Sequence, residues 1–293
     1  MWVLALVINL TLFTAATLLK RQYAQSHTVP ASVSMAVSYT IGFMPISLFV
    51  GLLLAHDVSW SWLTWWLLLG ATLFLALFIW LSFLAMRYIP AALNQTLSQA
   101  RIVIVIILGS LFLQESLTAA QFIGAALILA GGIVAIWAPA KAHRAGLGRH
   151  KHLMKGIILS VVSALFLGIG AVLEKAVLRH MDIGAFFIYG FGLQTFWLIV
   201  FALKDTNGKI PAGLSKTIVR QSTIIGVLTA VFGISYFVAL QGADNISLVQ
   251  SLTALTLPMT AVAAHYFLKE RDDAKLLWTA IIMSATGVVI TAL

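Results

Sequence analysis

The sequence predicts an all-α membrane protein of ten transmembrane helices, arranged as two inverted five-helix repeats. Three observations carry that expectation. First, 61% of the 293 residues are hydrophobic and only 9% are charged, with a mean hydropathy of +1.02. A soluble domain carries about 25% charged residues, so this much apolar surface requires a bilayer as its solvent. Second, the apolar excess runs the whole length of the chain, in stretches of about 20 residues that suit a helical crossing. Third, an offset of 155 residues lays the second half on the first, carrying Phe112 onto Phe267.

The ten spans fall near 2–19, 31–54, 62–86, 91–113, 120–138, 156–178, 183–203, 220–240, 245–267 and 276–292. Span one opens the chain. Met1-Trp2-Val3-Leu4 has no charged leader or small-residue cleavage site, so the segment is expected to be kept. Strand readings fail because the runs are too long and meet the helix-type signals Pro30, Pro90 and Thr118. Thr118 and Gln121 form a T-x-x-Q capping box at the start of span five. Only Pro139–Lys155 and Lys204–Val219 are long connectors, and neither could hold a domain. The expected organisation is a first repeat at 1–138, a basic cytoplasmic connector at 139–155 and a second repeat at 156–293.

Charge sets the orientation. Of the 18 Lys and Arg, Arg101 lies inside a span, Lys175 and Arg179 lie at even-numbered connectors, and the other 15 fall in odd-numbered ones. Connectors rich in Lys and Arg stay in the cytoplasm, so both termini are expected outside the cytoplasmic membrane. Trp60, Trp62, Trp65 and Trp66 fit an aromatic belt at the outer end of span three. The formal charge of +9 belongs to these short connectors, so a topology signal explains it better than a nucleic-acid partner. The absence of cysteine excludes a disulfide framework and a thiolate metal site. No His, Asp or Glu set has metal-ligand spacing, and no cofactor is expected.

The repeat extends beyond one segment. Phe112-Leu113-Gln114-Glu115 falls on Phe267-Leu268-Lys269-Glu270, Gln95-x-x-Ser98 on Gln250-x-x-Thr253, Lys20 on Lys175, and Gly132-x-Val134 on Gly287-x-Val289. Five spans per unit is an odd number, so the units must be inverted relative to each other, a transporter architecture with its site near the midplane. On the paired F-L-x-E segments and the runs Gly124–Val134 and Ala280–Val289, the chain resembles the drug/metabolite transporter superfamily. The resemblance is to its ten-helix group built from two EamA-type units. It implies a secondary carrier of a small metabolite, amino acid or drug-like solute, mostly an exporter, working by alternating access. Thr279 stands where Gly124 predicts glycine, so the second unit diverges more.

The candidate substrate residues cluster on span four. Asn94, Ser98 and Arg101 share one helical face, and Gln95 widens the stripe. Lipid penalises such a stripe, so it should face the bundle interior or a water-filled cavity. Arg101 lies near the midplane, where a cation persists only if something compensates it. A substrate carboxylate or phosphate would do so, while backbone carbonyls are the bland alternative. Gln250 and Thr253 repeat the pattern on span nine, and Tyr39, Trp80 and Tyr236 are aromatics set well inside spans. Glu174 is the one carboxylate placed to carry a proton, although Lys175 and Arg179 beside it suit a surface ion cluster equally. Pro45 and Pro258 interrupt spans two and nine.

A carrier of phosphorylated or nucleotide-linked solutes would also suit Arg101. An intramembrane enzyme would need a nucleophile with its base, or paired carboxylates, and neither is found. A non-transporting structural or receptor subunit has no need of polar midplane stripes. The expected partners are a small-molecule substrate and the lipid bilayer, with a homodimer left open.

Overall fold

The structure, a computed structural model, describes residues 2–26, 29–54, 57–113, 118–142, 147–209, 214–242, 253, 255–268 and 274–291. In chain order the helices are α1 (Trp2–Ser26), α2 (Ala31–Leu53), α3 (Trp62–Ala85), α4 (Ala91–Ser98 and Ala100–Leu113) and α5 (Ala119–Ala142). They continue with α6 (Leu147–Val177), α7 (Ile183–Thr206), α8 (Lys216–Gly242), α9 (Thr256–Phe267) and α10 (Ala274–Thr291). No strand occurs among the described residues beyond one isolated bridge, Val58 to Met181. The chain is therefore an all-helical, multi-pass membrane protein. Seven of its described helices are long and apolar enough to cross a bilayer: α1, α2, α3, α4, α6, α7 and α8. In α5 and α10 the apolar stretches are shorter, Ala119–Ala135 and Lys275–Ile290.

Helix extends further than the hydropathy pattern suggests. Helix α1 continues through Lys20 and Arg21 to Ser26, and the segment 139–155 is helical up to Ala142 and again from Leu147. Neither end breaks where the apolar run stops, because Lys, Arg and Gln are good helix formers. The T-x-x-Q capping box is present. The Thr118 amide donates to Gln121 Oε1 at 3.0 Å, and the Gln121 amide donates to Thr118 Oγ1 at 3.2 Å. Thr118→Ala should cost about 1 kcal/mol, read as a lower melting temperature in detergent with assembly intact.

Two spans contain wide turns. In α2 the segment Ser38–Phe43 is π-helical and leads directly into Met44-Pro45. Pro45 has no N–H to give and its ring crowds the carbonyl one turn back, so the chain dilates there, as π-turns do. Helix α7 has a similar turn at Phe186–Gly190, without a proline, and the sequence offers no local cause for it.

Packing joins the halves. Helix α3 lies along α6, α1 along α8, and α5 along α10. Lipid tails are as apolar as leucine, so such contacts depend on close approach through small residues. At the α2–α8 crossing Gly42 and Gly226 face each other: a Cβ on Gly226 would lie 2.9 Å from Gly42 Cα. Gly287 meets Gly124 and Ile128, and Gly131 meets Ala280 and Ser284, across the α5–α10 pair. The largest core cluster gathers Tyr39, Phe43, Phe186, Phe187, Phe191 and Phe237 from α2, α7 and α8.

Main-chain and polar bonds tie the two ends. At one end the connectors before α3 and α7 pair, with the Ser59 amide donating to the His180 carbonyl at 2.8 Å and Asp182 to Asp57 at 3.0 Å. Trp60, Trp62, Trp65 and Trp66 are all exposed at this end. At the other end Arg21 donates to the Met86 carbonyl and Arg87 to that of Val29. Burial lowers the Arg87 guanidinium from its usual value, with Tyr88 and Tyr23 acting against the shift. The Tyr23 hydroxyl accepts from Ser34 at 3.3 Å and Ser222 at 3.2 Å, linking α1, α2 and α8.

Candidate functional site

Helix α4 starts at Pro90 and buries its whole first piece, Ala91 to Ser98. At Gln99 the helix tightens: Gln99 N–H turns back to the Thr96 carbonyl and Ile102 N–H to the Gln99 carbonyl. The polar stripe therefore brackets a discontinuity rather than lying on one straight face. Asn94 is 1% exposed. Its Nδ2 donates to Ser82 Oγ of α3 at 3.1 Å, while its Oδ1 has no partner among the described residues. Ser160 Oγ of α6 donates to the Asn94 carbonyl at 3.4 Å. A buried acceptor left without a donor is costly, so Asn94 Oδ1 is open to a donor from a solute or water. Nothing in the sequence marks Ser82 and Ser160, whose roles depend on which helices meet α4.

Gln95 is buried, and Ser98 spends its hydroxyl on the Gln95 carbonyl at 2.8 Å. Ser98 is thereby a weaker contact residue than its spacing suggests. Arg101 is the second residue of the second piece of α4 and is half-buried. Its backbone packs on α6, where a Cβ on Gly168 would lie 3.1 Å from the Arg101 carbonyl oxygen. The guanidinium lies within electrostatic reach of Tyr236 on α8. It forms no hydrogen bond or ion pair with a described residue.

The other candidates are dispersed. Tyr39 is buried in the wide turn of α2, its ring 4.5 Å from that of Phe43. Trp80 packs on Phe201 at 5.3 Å. Both are core aromatics, and no observed contact brings either to Arg101. Among the described candidates, Tyr236 is within electrostatic reach of Arg101. Thr253 is half-buried and its carbonyl accepts from Thr256 Oγ1 at 2.7 Å. Gln250 lies outside the described residues. Glu174 is half-buried on α6 and makes no side-chain hydrogen bond or ion pair with a described residue. Among the described residues no three His, Asp or Glu could together hold a metal ion.

Residues 1–137 match the EamA-like transporter family. These residues, α1 to most of α5, are similar to an EamA-like transporter unit of the drug/metabolite transporter superfamily. The α4 stripe, with Asn94 and Arg101, lies inside that unit. One solved structure, described as "Crystal structure of protein", is similar to this chain at 16% identity and a TM-score of 0.65. The match covers 98% of this chain and 95% of that one, so the two share a fold over nearly their whole lengths. No curated protein matches.

Proposed function

We propose that the protein is a secondary transporter that moves a small metabolite across the cytoplasmic membrane by alternating access, in the direction of efflux. The observation that carries this reading is Arg101. A midplane Arg costs at least ~2.5 kcal/mol, yet no described residue bonds to its guanidinium. A fixed cation with no described partner suits a site that must bind an anionic or zwitterionic solute and then release it. The EamA-like first unit supports a carrier role over a structural or receptor one.

The architecture we propose is ten crossings in two units, 1–138 and 156–293, inverted about an axis in the membrane plane. The 155-residue repeat supports it. So does the pairing of helices, because that offset carries the α1–α8 contact onto the α6–α3 contact and α5 onto α10. The distribution of Lys and Arg supports external termini. Asn94, Gln95, Ser98 and Tyr236 would line the site with Arg101, and Gln250 and Thr253 would face them from the second unit.

Uptake into proteoliposomes preloaded with a panel of amino acids and organic anions tests the carrier reading. Accumulation of at least one labelled solute is expected, and none across the panel would overturn it. Glu174 is the proposed proton carrier. Glu174→Gln should remove stimulation by an imposed pH gradient and leave exchange at equal pH intact. Full stimulation in that variant would assign the proton elsewhere.

A further inference from the structure

Helix α6 is longer than a crossing needs. Its 31 residues extend about 46 Å, against about 30 Å of hydrocarbon. The apolar stretch runs from His152 to Val177, so Leu147 to Lys151 precede it in the same helix. Charge at this end has one sign. Between Glu115 and Glu174 the chain has no acidic residue, while Lys141, Arg144, Arg149, Lys151 and Lys155 all fall there.

A positive-inside signal accounts for the sign of that charge but not for how it is held. His152 and Lys155, three residues apart, are neighbours on the surface of α6. Both converge on Tyr88, in the connector between α3 and α4. The His152 ring lies parallel to that of Tyr88 at 6.0 Å, with 5° between the planes, and the Lys155 ammonium stands 5.0 Å from the Tyr88 centroid. Gly156 lets the two segments approach: a Cβ there would lie 2.7 Å from Tyr88 Cβ and 2.6 Å from Ile89 Cγ2. The Arg87 guanidinium lies within electrostatic reach of Tyr88. His152 and Lys155 are exposed, and neither forms a hydrogen bond or ion pair with a described residue. An aromatic face attracts a cation without neutralising it. A fixed basic cluster therefore sits where the apolar stretch of α6 begins, the level of the phosphate headgroups.

Further along, the same helix offers apolar surface. Met154, Ile158, Val161 and Leu165 are all exposed, and their i, i+4, i+7, i+11 spacing makes one stripe. Ile158 lies one turn from Lys155. A basic cluster at the head of an exposed apolar stripe matches an acidic headgroup followed by its acyl chain. A soluble anion would use only the first of these.

We propose that Tyr88, His152 and Lys155 bind the headgroup of an anionic phospholipid, with Arg87 adding charge beside it and an acyl chain along the α6 stripe. The headgroup ties the α3–α4 connector to α6, so its binding stabilises the folded chain. The site is independent of which solute is carried.

The test is thermal unfolding of the full chain in a neutral detergent, titrated with phosphatidylglycerol and separately with phosphatidylcholine. A ligand that binds only the folded state raises the melting temperature. Phosphatidylglycerol should raise it saturably, and phosphatidylcholine should not. Combining His152→Gln with Lys155→Gln should raise the half-saturating phosphatidylglycerol concentration about tenfold or more, whereas Lys155→Arg alone should leave it unchanged. Lys204→Gln with Lys209→Gln removes two exposed basic residues elsewhere and should also leave it unchanged. Where the His152 and Lys155 double variant does not elute as a single species, Lys155→Gln alone takes its place. Unchanged affinity in that variant overturns the site. So does an equal stabilisation by phosphatidylcholine, or an equal loss of affinity when Lys204 and Lys209 are neutralised. Displacement of the lipid by inorganic phosphate at equal concentration would assign the cluster to a soluble anion and overturn the proposal.

Discussion

Replacing Arg101 with Gln should abolish transport of anionic and zwitterionic solutes while the protein still inserts and elutes as a single species. The side chain bonds to no described residue, so its removal breaks no described hydrogen bond and relieves the cost of burying a charge. Stability should hold or rise, whereas losing one partner of a buried ion pair is strongly destabilising. Arg101→Lys keeps the charge but not the planar fork. Losing one charge-assisted hydrogen bond, worth about 1.5–3 kcal/mol, predicts a fall of about tenfold or more in transport at low substrate. Counterflow in proteoliposomes, with melting temperatures measured in parallel, checks both. Normal transport by Arg101→Gln would remove Arg101 from the site.

The largest effect on stability is expected at Gly226. Its Cβ position lies 2.0 Å from the Ser38 carbonyl oxygen and 2.9 Å from Gly42 Cα, and both obstacles are backbone, so no side chain can rotate away. Even Ala forces α2 and α8 apart, and Val adds two methyl groups to the same gap. The penalty should meet or exceed the upper end of the about 1–3 kcal/mol typical of overpacking. Gly226→Val is expected to lose most folded protein on extraction, and Gly226→Ala to melt several degrees lower. Combining Gly226→Ala with Gly42→Ala should cost less than the two added separately, because the helices separate only once. Full additivity would mean that the two glycines do not share a contact.

Whatever depends on local chemistry was legible in the sequence. Composition and run length gave the membrane and the helices, and Thr118 with Gln121 gave a cap whose two bonds are both present. The polar character of α4 was legible too, because Asn94, Gln95 and Arg101 stand out against an apolar background. Less accessible was anything set by a neighbour in space. Lys20 reads as a connector residue because hydropathy ends a span at the first charge, whereas the helix continues and the ring of Phe232, 212 positions along, receives that charge. Tyr39 and Trp80 read as site aromatics because nothing local distinguishes a core ring from a lining one.

The bridge between the connectors before α3 and α7 is made of amide and carbonyl groups, Ser59 to His180 and Asp182 to Asp57. Any residue except proline supplies the donor, so this seam places almost no demand on side-chain identity. Two descendants of one ancestral chain could differ at all four positions and keep the same tie. The same indifference lets these loops acquire new side chains at the membrane surface while the helices beneath them hold their places.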